Sequence, residues 1–375
     1  MFSKLYKPVS LVIEVILLLL MTLIGTRAVD AVSRYYDTAF HTISLLISFI
    51  FSFLLHFLLR ILGQLTGGLI HGMQLLGIEL LGKVHVRERN HFYIRERLPE
   101  MEISSILMAP AGISETSKNR KQQALFFYFW GGCLLDLIFT LLSFFLLRTG
   151  FVSCETFAGS FLFSFFLSGL WMLVVFGFPL YRAGLPNDGL KACLIAFKPQ
   201  ERALFYEIMR DLSRLSEGTF DPTEEGMEAL DTEPFEEDGP ISLFAVLYLN
   251  RAYEQAMWAG DLPKADHLLS LLYQHRQDVP EDMREALMEE AIFCLSKNTS
   301  EDSLELSDTL MNEQRLARME NENTLLSGRS LYQWSLHHLE LEDKKWSYLE
   351  RIKKQLGNLP YPAARKAWMG TIDNG

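Results

Sequence analysis

Four long apolar runs dominate the first half of the chain: Val9 to Gly25, Ala39 to about Leu65, Gln123 to Leu147 and Phe157 to Leu180. Each approaches or exceeds the roughly 20 residues a helix needs to cross a bilayer, so each is expected to span one. Lys4 and Lys7 precede the first run, and small residues follow it at Ala28 and Ala31. Arg27 and Asp30 crowd the place where a signal peptide would be cut, so a retained helix is favoured over a cleaved leader. Between the second and third runs the pattern changes. Gly63/Gly67 and Gly68/Gly72 are GxxxG pairs that permit close helix contact, and so many glycines suggest that Leu65 to Leu81 is bent or re-entrant. Val84, Val86, Phe92 and Ile94 then alternate with polar residues around Arg89-Asn90, which predicts a β-hairpin over Lys83 to Arg97 at the membrane surface. Met108-Ala109-Pro110-Ala111-Gly112 reads as an extended, turn-rich stretch.

Beyond residue 180 the chain turns polar. An amphipathic helix is expected from about Pro199 to Leu215. Glu217 to Gly239 holds ten acidic and no basic residues, the composition of a flexible linker. From Ile241 onward, Ala245, Leu249, Ala252, Tyr253 and Ala256 recur at helical spacing. Gly260-Asp261 is expected to turn the chain into a second helix opening at Lys264. The pattern resembles a tetratricopeptide helix pair, and a second pair is expected through Arg329 to Leu356, turning near Glu342-Asp343. The fold class read from these patterns is an all-α polytopic membrane domain of four spans with a small β-hairpin insertion, plus an α-helical, tetratricopeptide-like cytoplasmic domain. The expected divisions are residues 1–38, 39–215, 216–240 and 241–375.

Composition narrows the partners. A formal net charge of -11 argues against nucleic acid. Cys133, Cys154, Cys193 and Cys294 lie far apart with no CxxC pair, so they form neither a disulfide framework nor a zinc ribbon. Basic residues cluster between Lys83 and Lys121, while the link after the third run carries only Arg148. The basic side is expected to be cytoplasmic. With four spans, both termini lie there too, and the protein is expected to be a multi-pass component of the cell membrane.

The polar exceptions carry the candidate chemistry. Arg60 and Gln64 lie four apart near the end of the second run, on one face of a helix. An arginine near a bilayer centre costs roughly 2.5–3.5 kcal/mol on insertion scales, so a partner or a wet cavity is expected. Glu14 within the first run reads as a carboxyl facing other helices or headgroups. The chain contains no HExxH, GxSxG or Walker-type loop, and none of its nine histidines is followed four residues later by another.

Five segments in order resemble the site-2-protease superfamily of intramembrane zinc metalloproteases, in a divergent form found in Gram-positive bacteria. They are Arg60-Ile61-Leu62-Gly63-Gln64-Leu65, the hairpin at Lys83 to Arg97, Ile106-Leu107-Met108-Ala109-Pro110-Ala111, Gly131-Gly132-Cys133-Leu134-Leu135-Asp136 and Pro186-Asn187-Asp188-Gly189. The resemblance covers roughly residues 40 to 215. In that family two histidines bind zinc and a glutamate activates water. The matching places here are Arg60, Gln64 and Ile61. Arginine cannot be deprotonated and cannot ligate a cation, and isoleucine moves no proton.

The resemblance therefore implies a pseudoprotease: no catalytic residues, no metal and no cofactor, acting as a binding or regulatory scaffold. Its partners would be the lipid bilayer and a protein bound through the C-terminal helical domain. His56, Arg60, Gln64, His71, Asp136 and Asp188 form the candidate polar cluster, in which Arg60 is expected to pair with Asp136 or Asp188. One alternative is an active zinc protease with displaced ligands drawn from His56, His71, Asp136 and Asp188, for which Glu79 and Glu14 are poor general bases. The other is a membrane adaptor that only anchors the helical repeats.

Overall fold

In a computed structural model, residues 39–80, 82–96, 98, 101, 104–110, 118–152, 156–182, 185–218, 235, 240–298, 300–322, 324–338 and 341–373 are described, with scattered positions between 12 and 27. The first apolar run with Glu14, the acidic linker and Cys154 lie wholly or largely outside the described residues. The chain forms two compact units. One comprises Met1–Gln74 with Pro110–Arg202, the other Leu75–Ala109 with Ala203–Gly375.

The first unit is built on helices α1 (Ala39–Ile70), α2 (Lys118–Arg148) and α3 (Phe157–Met172). Three helical stretches, Leu45–Ile70 in α1, Leu125–Arg148 in α2 and Phe157–Gly177, which runs on past the end of α3, are long and apolar enough to cross a membrane. Their polarity is inside out. On α1, Leu54, Leu58 and Leu62 are exposed, while Ser48, Ser52 and His56 are buried at every fourth position. Such a helix suits lipid outside and polar contacts inside.

The glycine-rich stretch Leu65 to Leu81 does break, at one of its glycines. α1 stays helical through Gly63, Gly67 and Gly68, and the chain turns only at Gly72, whose φ of +79° lies in the left-handed region. Gly63 and Gly67 instead face α2: a β-carbon at Gly63 would meet the Gly131 carbonyl, and one at Gly131 would meet the Gly63 carbonyl. These glycines allow two backbones to touch.

After α3 the chain widens into one π-helical turn, Leu173–Gly177. A two-residue ladder, β5 (Tyr181–Arg182) with β6 (Leu185–Pro186), leads to α4 (Asp188–Phe197).

A four-stranded sheet, whose residues fall in the second unit except for Met73, Gln74 and Pro110, is formed by β1 (Met73–Leu80), β2 (Lys83–Glu88), β3 (His91–Arg95) and β4 (Ile106–Pro110), in the order β3-β2-β1-β4. The expected hairpin is β2–β3, antiparallel, with Val84 opposite Arg95 and Glu88 opposite His91. Its turn places Arg89 at φ 56°. Two strands are additional to that reading. β1 was obscured by Gly72 and Gly77, and β4 is a run with both faces covered, so it shows no alternation.

The hairpin groups with the C-terminal helices rather than with the membrane helices. Glu88 accepts from Arg95 Nε at 2.6 Å, from Arg365 Nη2 at 2.6 Å and from the Tyr361 backbone at 3.3 Å. Burial works to raise the Glu88 pKa, but Arg95 and Arg365 outweigh it, and the carboxyl is held below its usual range. The Glu96 N–H donates to the Asn358 carbonyl at 3.1 Å. The amphipathic helix expected at Pro199 to Leu215 is α5 (Pro199–Glu217), and Ser216 near its end donates to the Arg87 carbonyl at 2.8 Å.

The remaining helices are α6 (Leu243–Ala259), α7 (Leu262–Gln274), α8 (Glu281–Lys297), α9 (Glu301–Leu310), α10 (Glu313–Asn321), α11 (Leu325–Ser335), α12 (Glu342–Leu356) and α13 (Pro362–Asp373). α6 and α7 form the first expected pair. Gly260 closes α6 in the left-handed region, and Asp261 caps α7 through the Lys264 N–H. α11 and α12 form the second, but Glu342 and Asp343 open α12 instead of turning the chain. Acidic side chains suit a first helical turn, where the backbone N–H groups are free.

Candidate functional site

The polar residues of the first unit separate into two groups. His56 lies on α1, 11 residues into its span, and Asp136 lies on α2, 11 residues into its own. The two meet near the middle of both helices, with His56 Nδ1 3.0 Å from Asp136 Oδ1. The other ring nitrogen, Nε2, lies 2.8 Å from the backbone carbonyl of Phe165 on α3, and the imidazole stacks on the Phe165 ring at 3.9 Å. Both side chains are fully buried. Gly169 makes the room: a β-carbon there would meet the Thr140 hydroxyl and the His56 ring. Thr140 turns its hydroxyl to the Asp136 carbonyl at 2.6 Å. Asp136 Oδ2 is buried and has no hydrogen-bond partner among the described residues.

The second group lies one and two helical turns further along α1. Arg60 donates from Nε to Asp188 Oδ2 at 3.1 Å, and its Nη2 also bonds that oxygen. Gln64 Nε2 donates to the same oxygen at 2.8 Å. Lys191 Nζ stands 3.6 Å from Asp188 Oδ1. The guanidinium lies over the Phe176 ring, 3.4 Å from its centroid, as a cation–π contact. Gly132 gives Arg60 its place, since a β-carbon there would meet the Arg60 backbone and side chain.

Asp188 is aimed by its neighbour. Asn187 caps α4 by accepting from the Leu190 N–H at 3.0 Å, and also accepts from the Leu180 N–H at 3.1 Å. Its amide donates to the carbonyls of Val175 and Phe178 at 2.7 and 2.6 Å. One side chain thus stitches the π turn to the start of α4. Gly189 lets them approach, because a β-carbon there would meet the Gly177 carbonyl.

Of the six candidate residues, five fall into these groups. His71 does not: its Nδ1 bonds the Gly67 carbonyl at 2.7 Å and its ring stacks on Phe127. Arg60 takes Asp188, and Asp136 is engaged by His56. Among the described residues no three His, Cys, Asp or Glu side chains converge so as to hold a metal ion. The donor set does not fit zinc. Both nitrogens of His56 are engaged, and Asp188 faces two cations and an amide. Ile61, on the turn of α1 after Arg60, carries no titratable group.

Asn187, Lys191, Phe165, Thr140 and Phe176 were not among the candidates. Asn187 was legible as a helix cap before Asp188-Gly189, and Lys191 as the i,i+3 neighbour of Asp188. Nothing local marks Phe165 or Phe176, which the fold brings in from α3 and the turn after it.

No known protein family, curated protein or solved structure matches this chain.

Proposed function

We propose that this protein is a catalytically inactive, site-2-protease-like membrane protein that serves as a binding or regulatory scaffold. In this reading the run Val9 to Gly25 supplies a fourth span, both termini face the cytoplasm, and the tetratricopeptide-like helices after residue 241 receive a protein partner. One observation carries the proposal. The position that would hold a zinc ligand holds Arg60, bonded to Asp188, a carboxylate of the last of the five resembling segments. A fixed guanidinium there neutralises the carboxylate as a cation would, and fastens α1 to α4 without offering an open coordination position.

Metal analysis of the purified, detergent-solubilised protein tests it. The proposal expects sub-stoichiometric zinc that does not change when His56 and His71 are replaced. One tightly held zinc per chain, lost on those replacements, would overturn it in favour of a protease with displaced ligands. A plain membrane adaptor is separated by Arg60→Leu. The scaffold reading expects that change to impair function in cells where the protein remains inserted and folded, and the adaptor reading expects no effect on function under that condition.

A further inference from the structure

The second unit holds a cavity of about 380 Å³, near the small end of ligand-binding pockets. Its walls are mainly apolar, from Val246 and Leu269 to Leu325 and Trp368, but its polar groups are not a random rim. Arg329 is 1% exposed, and its guanidinium lies between the rings of Phe293 and Trp368, 4.1 and 4.0 Å from their centroids. Nη2 stands 2.5 Å from Glu290 Oε1, while Nε and Nη1 have no hydrogen-bond acceptor among the described residues. A buried guanidinium with two nitrogens unsatisfied calls for an oxygen acceptor from outside the chain.

Charge decides what kind of acceptor. Glu96, Glu254 and Glu290 all line the cavity. Glu290 is spent on Arg329 and on the Tyr253 hydroxyl at 2.5 Å. Glu254 shares Arg251 with Asp211, at 2.8 and 2.6 Å. Glu96 forms no ion pair among the described residues, and burial pushes its carboxyl above the usual range. Of the charged residues lining the cavity, three are carboxylates and one is a guanidinium. An incoming carboxylate would be repelled, whereas a neutral carbonyl oxygen could accept from Arg329 while a nearby cation met Glu96 and Glu254.

We propose that this cavity binds a short, apolar peptide segment carrying one basic side chain, whose backbone carbonyl accepts from Arg329 and whose cation meets Glu96. The inference rests on the scaffold reading above and gives the partner-binding helices a site and a specificity. The lysine or arginine stem would cover apolar wall and its head would reach the carboxylates.

The test is fluorescence anisotropy on the full-length protein, with an N-terminally labelled Gly-Ser-Leu-Lys-Leu-Ser-Gly amide and its counterpart bearing glutamate for lysine. Saturable binding of the lysine peptide, weakened as salt is raised and at least roughly tenfold tighter than that of the glutamate peptide, is expected. Glu96→Lys should reverse the preference. Glu96 holds no ion pair within the chain, so this variant is expected to fold, and an unchanged thermal transition checks it. Equal binding of both peptides, no saturable binding, or an unreversed preference in a folded Glu96→Lys protein would overturn the proposal. Those outcomes leave the scaffold reading standing. Stoichiometric zinc would remove the scaffold reading whatever the peptides do.

Discussion

His56 and Asp136 share one proton. Nε2 of His56 faces the carbonyl of Phe165, which can only accept, so that nitrogen carries hydrogen. Nδ1 then faces Asp136 Oδ1 at 3.0 Å. Either the ring is an imidazolium beside a carboxylate, or it is neutral beside a carboxylic acid. A neutral ring beside a carboxylate sets two acceptors against each other in a buried site, and an imidazolium beside a carboxylic acid leaves a net charge there. In both allowed forms the pair is neutral overall, which suits two ionisable groups halfway along their helices.

Asp136→Asn is therefore expected to be mild, because the amide can donate to Nδ1 of a neutral ring. Asp136→Leu leaves that nitrogen buried without a partner and should cost about 1–3 kcal/mol. Reversible unfolding in mixed micelles measures both. Equal losses in the two variants would mean that the pair is not hydrogen-bonded as described.

Arg60→Leu strips Asp188 of its main partner, leaving Gln64 and Lys191. Removing one member of a buried pair typically costs about 3–5 kcal/mol, while replacing both is often near neutral. The double change Arg60→Leu with Asp188→Asn should therefore recover most of the loss. A double variant as unstable as the single one would show that Arg60 acts by packing on Phe176 instead.

Where Gly63 of α1 meets Gly131 of α2, the two backbones leave no space for a side chain. Gly131→Ala places a methyl against the Gly63 carbonyl, a backbone atom that cannot turn aside. Overpacking of this kind costs at least about 1–3 kcal/mol. It should also disturb the polar pairs, since Arg60 packs against the adjacent Gly132. Cysteine crosslinking between α1 and α2 would report the separation, and an unchanged crosslinking pattern would contradict the contact.

In the helical unit, Glu289 is pushed up to about 7, first by burial. Arg318 lies 2.8 Å from it but also serves Glu285 and Glu322, so its charge is divided among three carboxylates. Burial wins for that reason. A carboxyl with a raised folded-state pKa binds more protons folded than unfolded, so stability falls as pH rises from about 4.5 to about 7. Glu289→Gln should flatten that part of the profile and raise stability at pH 8. The amide keeps an oxygen for Ser327, which donates to Glu289 at 2.9 Å. Thermal melts across pH test this, and an unaltered slope would count against it.

What the chain determines by itself is local. The apolar lengths of α1, α2 and α3 follow from hydropathy alone, because a bilayer-crossing helix satisfies its own backbone. The β2–β3 hairpin follows from period-two alternation about Arg89-Asn90, and the α6–α7 turn from Gly260-Asp261. Arg60 and Gln64 stood out as misplaced polarity. Tertiary structure decided which carboxylate answers each cation. Asp188 reaches Arg60 only because Asn187 and Gly189 set α4 against the π turn, and Asp136 meets His56 only because Gly169 leaves room on α3. It also decided that Glu88 fastens the hairpin to Arg365, 277 positions away in sequence. Periodicity reports which face of an element is buried. It is silent on which distant element covers that face, and in a membrane interior the partner across the gap determines whether a charge is a metal ligand, a proton holder or a rivet.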